Sequence, residues 1–263
     1  MSARRRVGAA SVAVLAALVA LAPRAVAAAP VAAAPAAAQA ASPGLSLLLS
    51  VAVVSLLPFL FLSLTSFVKI STVLQITKSA IGAQSVPSNT VILALSGALT
   101  LLAMAPTASA VFARAAPVLA ENPQGPEAIV KVAAAAREPM RAFLRQNASE
   151  REVARFVAVA KTSAAAPATG PSATDPTPAV EESDLAVLAP AFVVTELTEA
   201  FAIGFLIFLP FLVIDLVVAN VLASLGLQTL SVSQVSLPFK LLLFVSVDGW
   251  GLLAQALVLG YRH

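Results

Sequence analysis

Apolar runs alternate with polar stretches along the whole chain. A helix needs about 20 predominantly apolar residues to cross a bilayer core. Four runs approach that length, and they are predicted to be spans at Leu45 to Leu64, Thr90 to Phe112, Phe201 to Leu225 and Leu237 to Leu259. The pattern therefore predicts an all-α, membrane-associated chain.

Prolines interrupt these runs. Pro58 and Pro106 lie inside the first two, and a proline within a helix removes one backbone hydrogen bond and bends the axis. The longer apolar stretch from Ala191 to Leu225 contains Pro210, which we expect to divide it. We predict kinked apolar helices arranged as bent hairpins.

Other residues mark where helices begin and end. Gly82 is expected to end one helix, with Ser88 or Asn89 capping the next, and Gly226 is expected to end the third run. The N-cap preference of serine and asparagine arises because their side chains accept a free backbone N–H. These breaks predict a first apolar hairpin over 45–112 and a C-terminal hairpin over 185–263 with a loop after Gly226.

The region 113–161 has a different pattern. Its apolar residues recur at helical spacing, which predicts amphipathic helices outside the membrane; they are Met140, Phe143, Leu144, Val153, Phe156 and Val157. Pro139 is expected in a first helical turn. Ser149 and Glu152 have the spacing of a capping box for a second helix.

Two segments lie outside this helical plan. Residues 1–27 combine Arg4-Arg5-Arg6, a short apolar run and Ala25-Val-Ala27, which is typical of a signal peptide; a first transmembrane anchor is the alternative. Residues 28–44 would then be a flexible mature N-terminus. The Ala/Pro/Thr/Ser-rich stretch 162–184 is predicted to be a disordered linker.

Composition agrees with a membrane protein. The 263 residues are 59% hydrophobic and 11% charged, with mean hydropathy +0.94, whereas soluble domains carry about 25% charged residues. The net charge of +3 comes from scattered basic residues with few aromatics, a pattern that argues against a nucleic-acid partner. With no cysteine, disulfides, thiolate nucleophiles and cysteine-bound metals are excluded.

Charged residues within the apolar runs are the candidate functional groups. Asp215 lies in the third run, and Lys240 and Asp248 lie in the fourth. A charge at the bilayer centre costs about 2.5–3.5 kcal/mol on the lenient insertion scale, so these groups are expected to face protein or water. Taken singly, Lys240 can snorkel and Asp248 can reach headgroups near a segment end.

Two glutamates precede the third run. Glu196 and Glu199 fit the solvated first turn of a helix, but Ala200 and Gly204 follow with the spacing of close helix packing. Together these features favour an ionic network between helices or subunits. We take Glu199, Asp215 and Asp248 as its buried members.

The sequence contains no recognisable set of catalytic residues. His263 is the only histidine and ends the sequence, so neither a metal site nor a histidine base is expected. The glycines lack the Lys-Ser/Thr of a phosphate-binding loop. We therefore expect no enzyme, metal or cofactor. A proton relay through Asp215 and Lys240, in a proton- or ion-conducting transporter subunit, remains the alternative function, and a purely structural scaffold is a third possibility.

Several long blocks, in order, resemble the FliP/SctR family of export-gate proteins from flagellar and virulence type III secretion systems. The strongest lie in the C-terminal half: Ala191 to Phe205, Leu209 to Asn220 and Leu237 to Trp250. Upstream matches are Leu57-Pro-Phe59, Thr65 to Ile70, Val86-Pro-Ser-Asn89 and Pro139 to Arg145.

The resemblance implies a pore-forming subunit that passes unfolded secreted proteins across the bacterial inner membrane. It implies a homo-oligomer, a pentamer, that coils with FliQ/SctS-type and FliR/SctT-type subunits into a helical ring, beside other export-apparatus proteins. The multi-pass hairpins would project toward the periplasm. By position, Glu196 and Lys240 match the acidic and basic residues that pair between neighbouring subunits.

The loop after the third run departs from the family. Many members carry methionines there that form a flexible gasket in the pore. Here the expected constriction consists of Gly226, Leu227, Gln228, Thr229 and Leu230, with no methionine. Blocks such as Val86-Pro-Ser-Asn89 look more like the injectisome branch, whereas a cleaved signal peptide is more usual in flagellar members.

Overall fold

The computed structural model describes residues 61–83, 87–120, 126–164, 184–227 and 229–261, together with Ser55 and Phe59. Its main helices are α1 (Phe67–Ile81), α2 (Asn89–Ala103), α3 (Ala105–Ala120), α4 (Pro126–Asn147), α5 (Glu150–Ala164), α6 (Leu185–Ser224), α7 (Val232–Ser246) and α8 (Gly249–Leu259). No strand occurs in this described part, and the all-α prediction is confirmed. The predicted signal peptide, the mature N-terminus, most of the linker and Gln228 lie outside the described residues.

Helix α6 is the longest element. Its 40 residues run without a break through Pro190 and Pro210, so the expectation that Pro210 divides this stretch was wrong. A proline removes only one backbone hydrogen bond, and in apolar surroundings the other backbone groups still need partners inside the helix. At 1.5 Å per residue the helix is about 60 Å long, about twice the thickness of a bilayer core.

The other apolar helices form bent pairs. α2 and α3 meet at Met104 with a bend of 61°, and α7 and α8 meet with a bend of 57°. Pro106 lies in the first turn of α3, so the predicted kink in this run is confirmed. By length and composition, the described residues hold one helix able to cross a membrane, or up to three spans if each bent pair counts as one. The predicted span at Leu45 to Leu64 lies mostly outside these residues.

Local capping signals were confirmed. Gly82 ends α1 in the left-handed conformation with φ 80°, and its N–H donates to the carbonyls of Lys78 and Ser79. Ser88 caps α2, where its side chain accepts from the backbone N–H of Val91. Gly226 also has positive φ, 72°, directly after the end of α6.

Helices α4 and α5 differ from expectation in two details. Pro139 lies in the interior of α4, because that helix already begins at Pro126; its placement in a first turn was wrong. Ser149 does precede α5, but its backbone N–H donates to Thr195 Oγ1 of α6 at 3.0 Å. The contact with α6 thus replaces the reciprocal capping-box bond that Glu152 would supply.

The core is built around α1, which packs against α2, α6 and α7. At the contact with α6, Gly204 lies beneath Ile76: a Cβ added at Gly204 would be 2.6 Å from Ile76 Cδ1. The close packing predicted for Ala200 and Gly204 is confirmed, since Ala200 is also fully buried. The main apolar cluster joins five parts of the chain, and includes Ile70, Val73, Leu74, Ile92, Phe143, Leu144, Leu188, Phe192, Leu253 and Leu257.

Candidate functional site

The charged residues inside the apolar helices form two separate clusters. The first, called here the Lys69 cluster, consists of Lys69, Glu196, Glu199 and Tyr261. Lys69 Nζ lies 3.0 Å from Glu196 Oε1 and 2.6 Å from Glu199 Oε2. The Glu196 side chain is 0% exposed and that of Glu199 is 53% exposed, so one buried ammonium joins a sealed carboxylate to an open one.

Helix geometry explains why these groups meet. Glu196 and Glu199 are three residues apart and share one face of α6. Lys69 lies in the first turn of α1, next to the fully buried Ile70. Because α1 and α6 pack closely, the Lys69 side chain is nearly buried, and its ammonium group contacts the two carboxylates.

Tyr261 closes the Lys69 cluster from the C-terminal side. Its hydroxyl donates to Glu196 Oε2 and lies 3.3 Å from the Ser66 carbonyl oxygen. Lys69 Nζ lies 4.4 Å from the centre of the tyrosine ring, close enough for a cation–π contact. The ring also stacks on Phe143 of α4, with 6.1 Å between centroids.

The phenol is held in its protonated form. Burial, and then the neighbouring Glu196 carboxylate, raise the pKa of Tyr261 above its ordinary value. A protonated phenol remains a hydrogen-bond donor, so Tyr261 supplies Glu196 with a partner in addition to Lys69.

The second group, the Lys240 cluster, consists of Lys240, Asp215 and Ser236. Lys240 Nζ lies 2.6 Å from Asp215 Oδ2 and donates to the Ala80 carbonyl at 3.3 Å. Ser236 Oγ donates to Asp215 Oδ1 at 2.6 Å. Ser236 and Lys240 are four residues apart on one face of α7. The Asp215 side chain is 32% exposed, so this cluster is open to its surroundings.

Four of the charged residues named from sequence belong to these clusters: Glu196 and Glu199 to the first, Asp215 and Lys240 to the second. Glu196 and Lys240 do not meet within one chain: Glu196 pairs with Lys69, and Lys240 pairs with Asp215. Their pairing between subunits stays a prediction. Asp248 joins neither cluster among the described residues; it is exposed at the bend between α7 and α8 and has φ 50°.

Sequence reasoning missed two members of the Lys69 cluster. Lys69 was not among the candidate site residues, although a buried lysine requires an acidic partner. Tyr261 carried no signal, because it meets Glu196 only through the tertiary packing of the C-terminal end on α1 and α6.

The predicted constriction lies on an exposed loop. Leu225, Leu227 and Leu230 are exposed, with Gly226 turning the chain between them. Thr229 is also exposed, and Gln228 lies outside the described residues. The exposed leucine side chains could narrow a channel that the loop lines. The position of this loop in a pore stays a prediction.

Much of the surface of α6 and α7 is apolar and uncovered in the single chain. The exposed residues include Phe201, Phe205, Leu206, Leu212, Val213, Leu216, Val217, Phe239, Leu242 and Val245. Contiguous exposed apolar surface marks contact with a membrane or another protein. In the described part of the chain, no group of three or more His, Cys, Asp or Glu side chains is placed to hold a metal ion.

Comparison with known proteins gives a family match that covers most of the chain. A family model described as the FliP family matches residues 50–257. The pathogenicity-related ORF2 of Xanthomonas campestris pv. glycines is 42% identical over 224 residues, covering 85% of this chain and 100% of that protein.

Two further relatives come from different systems. The hypersensitivity response secretion protein HrcR of Ralstonia nicotianae is 42% identical over 222 residues, 82% of this chain and 97% of its own length. The flagellar biosynthetic protein FliP of Caulobacter vibrioides is 40% identical over 215 residues, 81% of this chain and 74% of its own length.

Proposed function

The chain belongs to the FliP family, and we propose that it is the pore-forming subunit of a type III secretion export gate through which unfolded proteins cross the inner membrane. Members of this family are membrane components of the export apparatus and not enzymes. The observation that carries the proposal is the family match over residues 50–257, which takes in helices α1 to α7 and most of α8.

The outer surface of the chain supports assembly into a larger complex. The charged residues of the Lys69 and Lys240 clusters are paired inside the chain, while the exposed faces of α6 and α7 are apolar. A surface of this kind suits contact with further copies, with FliQ/SctS-type and FliR/SctT-type subunits and with lipid. We propose a pentameric ring in the inner membrane that projects toward the periplasm, with the loop from Gly226 to Leu230 at the constriction.

We further propose that the ring uses Glu196 of one subunit and Lys240 of the next as an ion pair. Lys240→Glu should disrupt assembly, and adding Glu196→Lys should partly restore it. Assembly would be followed by the fraction of detergent-purified protein that migrates as the oligomer. If both single variants assemble normally and the double variant does not, the pairing is rejected.

Copurification tests the function as a whole. A tagged chain expressed with its neighbouring genes should purify as a large, detergent-stable homo-oligomer together with two smaller hydrophobic proteins. A monomer or dimer that by itself conducts protons or ions in liposomes would instead support a transporter subunit and contradict the gate.

The injectisome branch is the one we propose for this chain. The two pathogenicity and secretion relatives are matched over 100% and 97% of their lengths, and the Caulobacter flagellar relative over 74%. The genes beside this one decide the branch: flagellar rod and hook genes in the same operon would contradict it.

A further inference from the structure

Both residues proposed to meet across subunits already have partners in their own chain. Glu196 is completely buried and contacts Lys69 and Tyr261. Lys240 is almost completely buried and contacts Asp215 and the Ala80 carbonyl. Because a sealed carboxylate cannot reach another chain, both intrachain pairs must open before an intersubunit pair forms.

When the two intrachain ion pairs open, neither remaining charge is left without a partner. Lys69 also binds Glu199 at 2.6 Å, so it keeps a partner when Glu196 leaves. Asp215 is partly exposed and keeps the hydroxyl of Ser236 when Lys240 leaves. Breaking a buried pair is costly mainly because one charge is left uncompensated, and here each remaining charge has a second partner or water.

One carboxylate oxygen of Glu196 has no hydrogen-bond donor beyond its ion pair with Lys69. Its Oε1 lies 3.0 Å from Lys69 Nζ but is not aligned with any hydrogen-bond donor. A buried carboxylate oxygen without an aligned donor is unusual. It is an acceptor that an incoming ammonium group would satisfy.

Tyr261 is the group that closes this acceptor site. It lies beyond the end of α8, after Gly260, so it can move away without breaking a helix. Its hydroxyl binds Glu196, its ring covers Lys69, and it reaches the Ser66 carbonyl before α1.

We propose that Tyr261 is an autoinhibitory latch that keeps Glu196 paired with Lys69 in the isolated subunit, and that assembly releases it so that Glu196 exchanges Lys69 for Lys240 of a neighbouring copy. This inference rests on the proposed ring. It assigns the intrachain pairs to the free subunit and the intersubunit pair to the assembled one.

Removing the hydroxyl tests the latch directly. Tyr261→Phe keeps the ring over Lys69 and Phe143 but loses the bond to Glu196. The concentration at which half of the purified subunits assemble should fall about tenfold, the size of one hydrogen bond to a charged group. Thr77→Val is the matched control, because it also removes a fully buried hydroxyl, one that donates to the Val73 carbonyl of its own helix α1. It should leave the assembly concentration unchanged.

The ultraviolet absorbance of the only tyrosine reports the latch itself. In the isolated subunit, burial beside Glu196 should keep Tyr261 protonated above the pH at which a free phenol ionises. In the assembled complex a released phenol should ionise near its ordinary value of about pH 10. The charged groups that face it are Lys69 of α1 and Glu196 and Glu199 of α6.

The outcomes separate this inference from the proposed ring. If the wild-type chain never forms a homo-oligomer, the ring is wrong and the exchange falls with it. If the oligomer forms but Tyr261 remains protected in it, or if Tyr261→Phe and Thr77→Val change assembly equally, the ring stands and the latch is wrong. Tyr261 ionising normally in the isolated, folded subunit overturns the latch whatever the assembly state.

Discussion

The Lys69 cluster and the Lys240 cluster place the same chemistry in different surroundings. Each joins a nearly buried lysine to a carboxylate of α6, and each adds a hydroxyl donor, Tyr261 or Ser236. The acid differs: Glu196 is 0% exposed, whereas Asp215 is 32% exposed.

The difference in exposure sets what each pair contributes. A carboxylate sealed in protein depends entirely on its partners, since no water replaces a lost one. A partly exposed carboxylate recovers hydration when its partner leaves. We therefore expect the loss of a partner to cost more stability in the Lys69 cluster than in the Lys240 cluster.

The largest expected effect comes from removing the lysines. Lys69→Met leaves Glu196 buried without an ammonium and should lower the free energy of unfolding by about 3–5 kcal/mol. Lys240→Met should lower it by only about 1–2 kcal/mol, because Asp215 keeps Ser236 and water. Thermal unfolding of the isolated subunit in detergent, followed by circular dichroism, measures both. Equal losses would show that exposure does not distinguish the clusters.

Removing the hydroxyl donors repeats the comparison on a smaller scale. Tyr261→Phe deprives a buried carboxylate of a donor and should cost about 1.5–3 kcal/mol, the range for hydrogen bonds to charged groups. Ser236→Ala should cost about 0.5–1.5 kcal/mol, because water can take the place of the serine. The same melting experiment applies, and a larger loss for Ser236→Ala would reverse the assignment of the sealed and open clusters.

The spacing of α1 and α6 should affect both clusters at once, since the Lys69 cluster joins these two helices and Lys240 donates to the Ala80 carbonyl of α1. In Gly204→Ala the new Cβ would meet Ile76 at 2.6 Å, and such overpacking costs about 1–3 kcal/mol. Gly97→Ala is the matched control, because nothing lies within 4 Å of a Cβ there and alanine favours a helix.

The combination Gly204→Ala with Ile76→Val should recover part of the stability lost in Gly204→Ala alone. Melting temperatures of Gly204→Ala, the Gly204→Ala/Ile76→Val double variant and Gly97→Ala test this expectation. A loss for Gly97→Ala as large as that for Gly204→Ala would show that the contact with Ile76 is not the cause.

Local signals in the sequence predicted more of the fold than of the site. Gly82, Ser88 and Gly226 act through their own backbone or side chain, so their positions in the sequence were enough to place helix ends. Pro210 failed as a signal because the packing and backbone needs of the long α6 outweigh the loss of one hydrogen bond.

The partners of the charged residues required the tertiary structure. Sequence alone indicated that Asp215, Lys240 and Asp248 must face protein or water. It did not show that Lys69 and Tyr261, from opposite ends of the chain, meet at Glu196. Ion pairs between distant segments depend on how the helices pack, and the hydropathy pattern does not specify which helices come into contact.

The smallest expected effect concerns Asp248, a charge in an apolar segment that belongs to neither cluster. It is exposed and adopts φ 50°, a conformation that asparagine also accepts readily. Asp248→Asn should therefore change the free energy of unfolding by less than about 0.5 kcal/mol, as at most surface positions. A loss in the melting experiment as large as that of Lys240→Met would mean that Asp248 has a charged partner, and that the division into two clusters is incomplete.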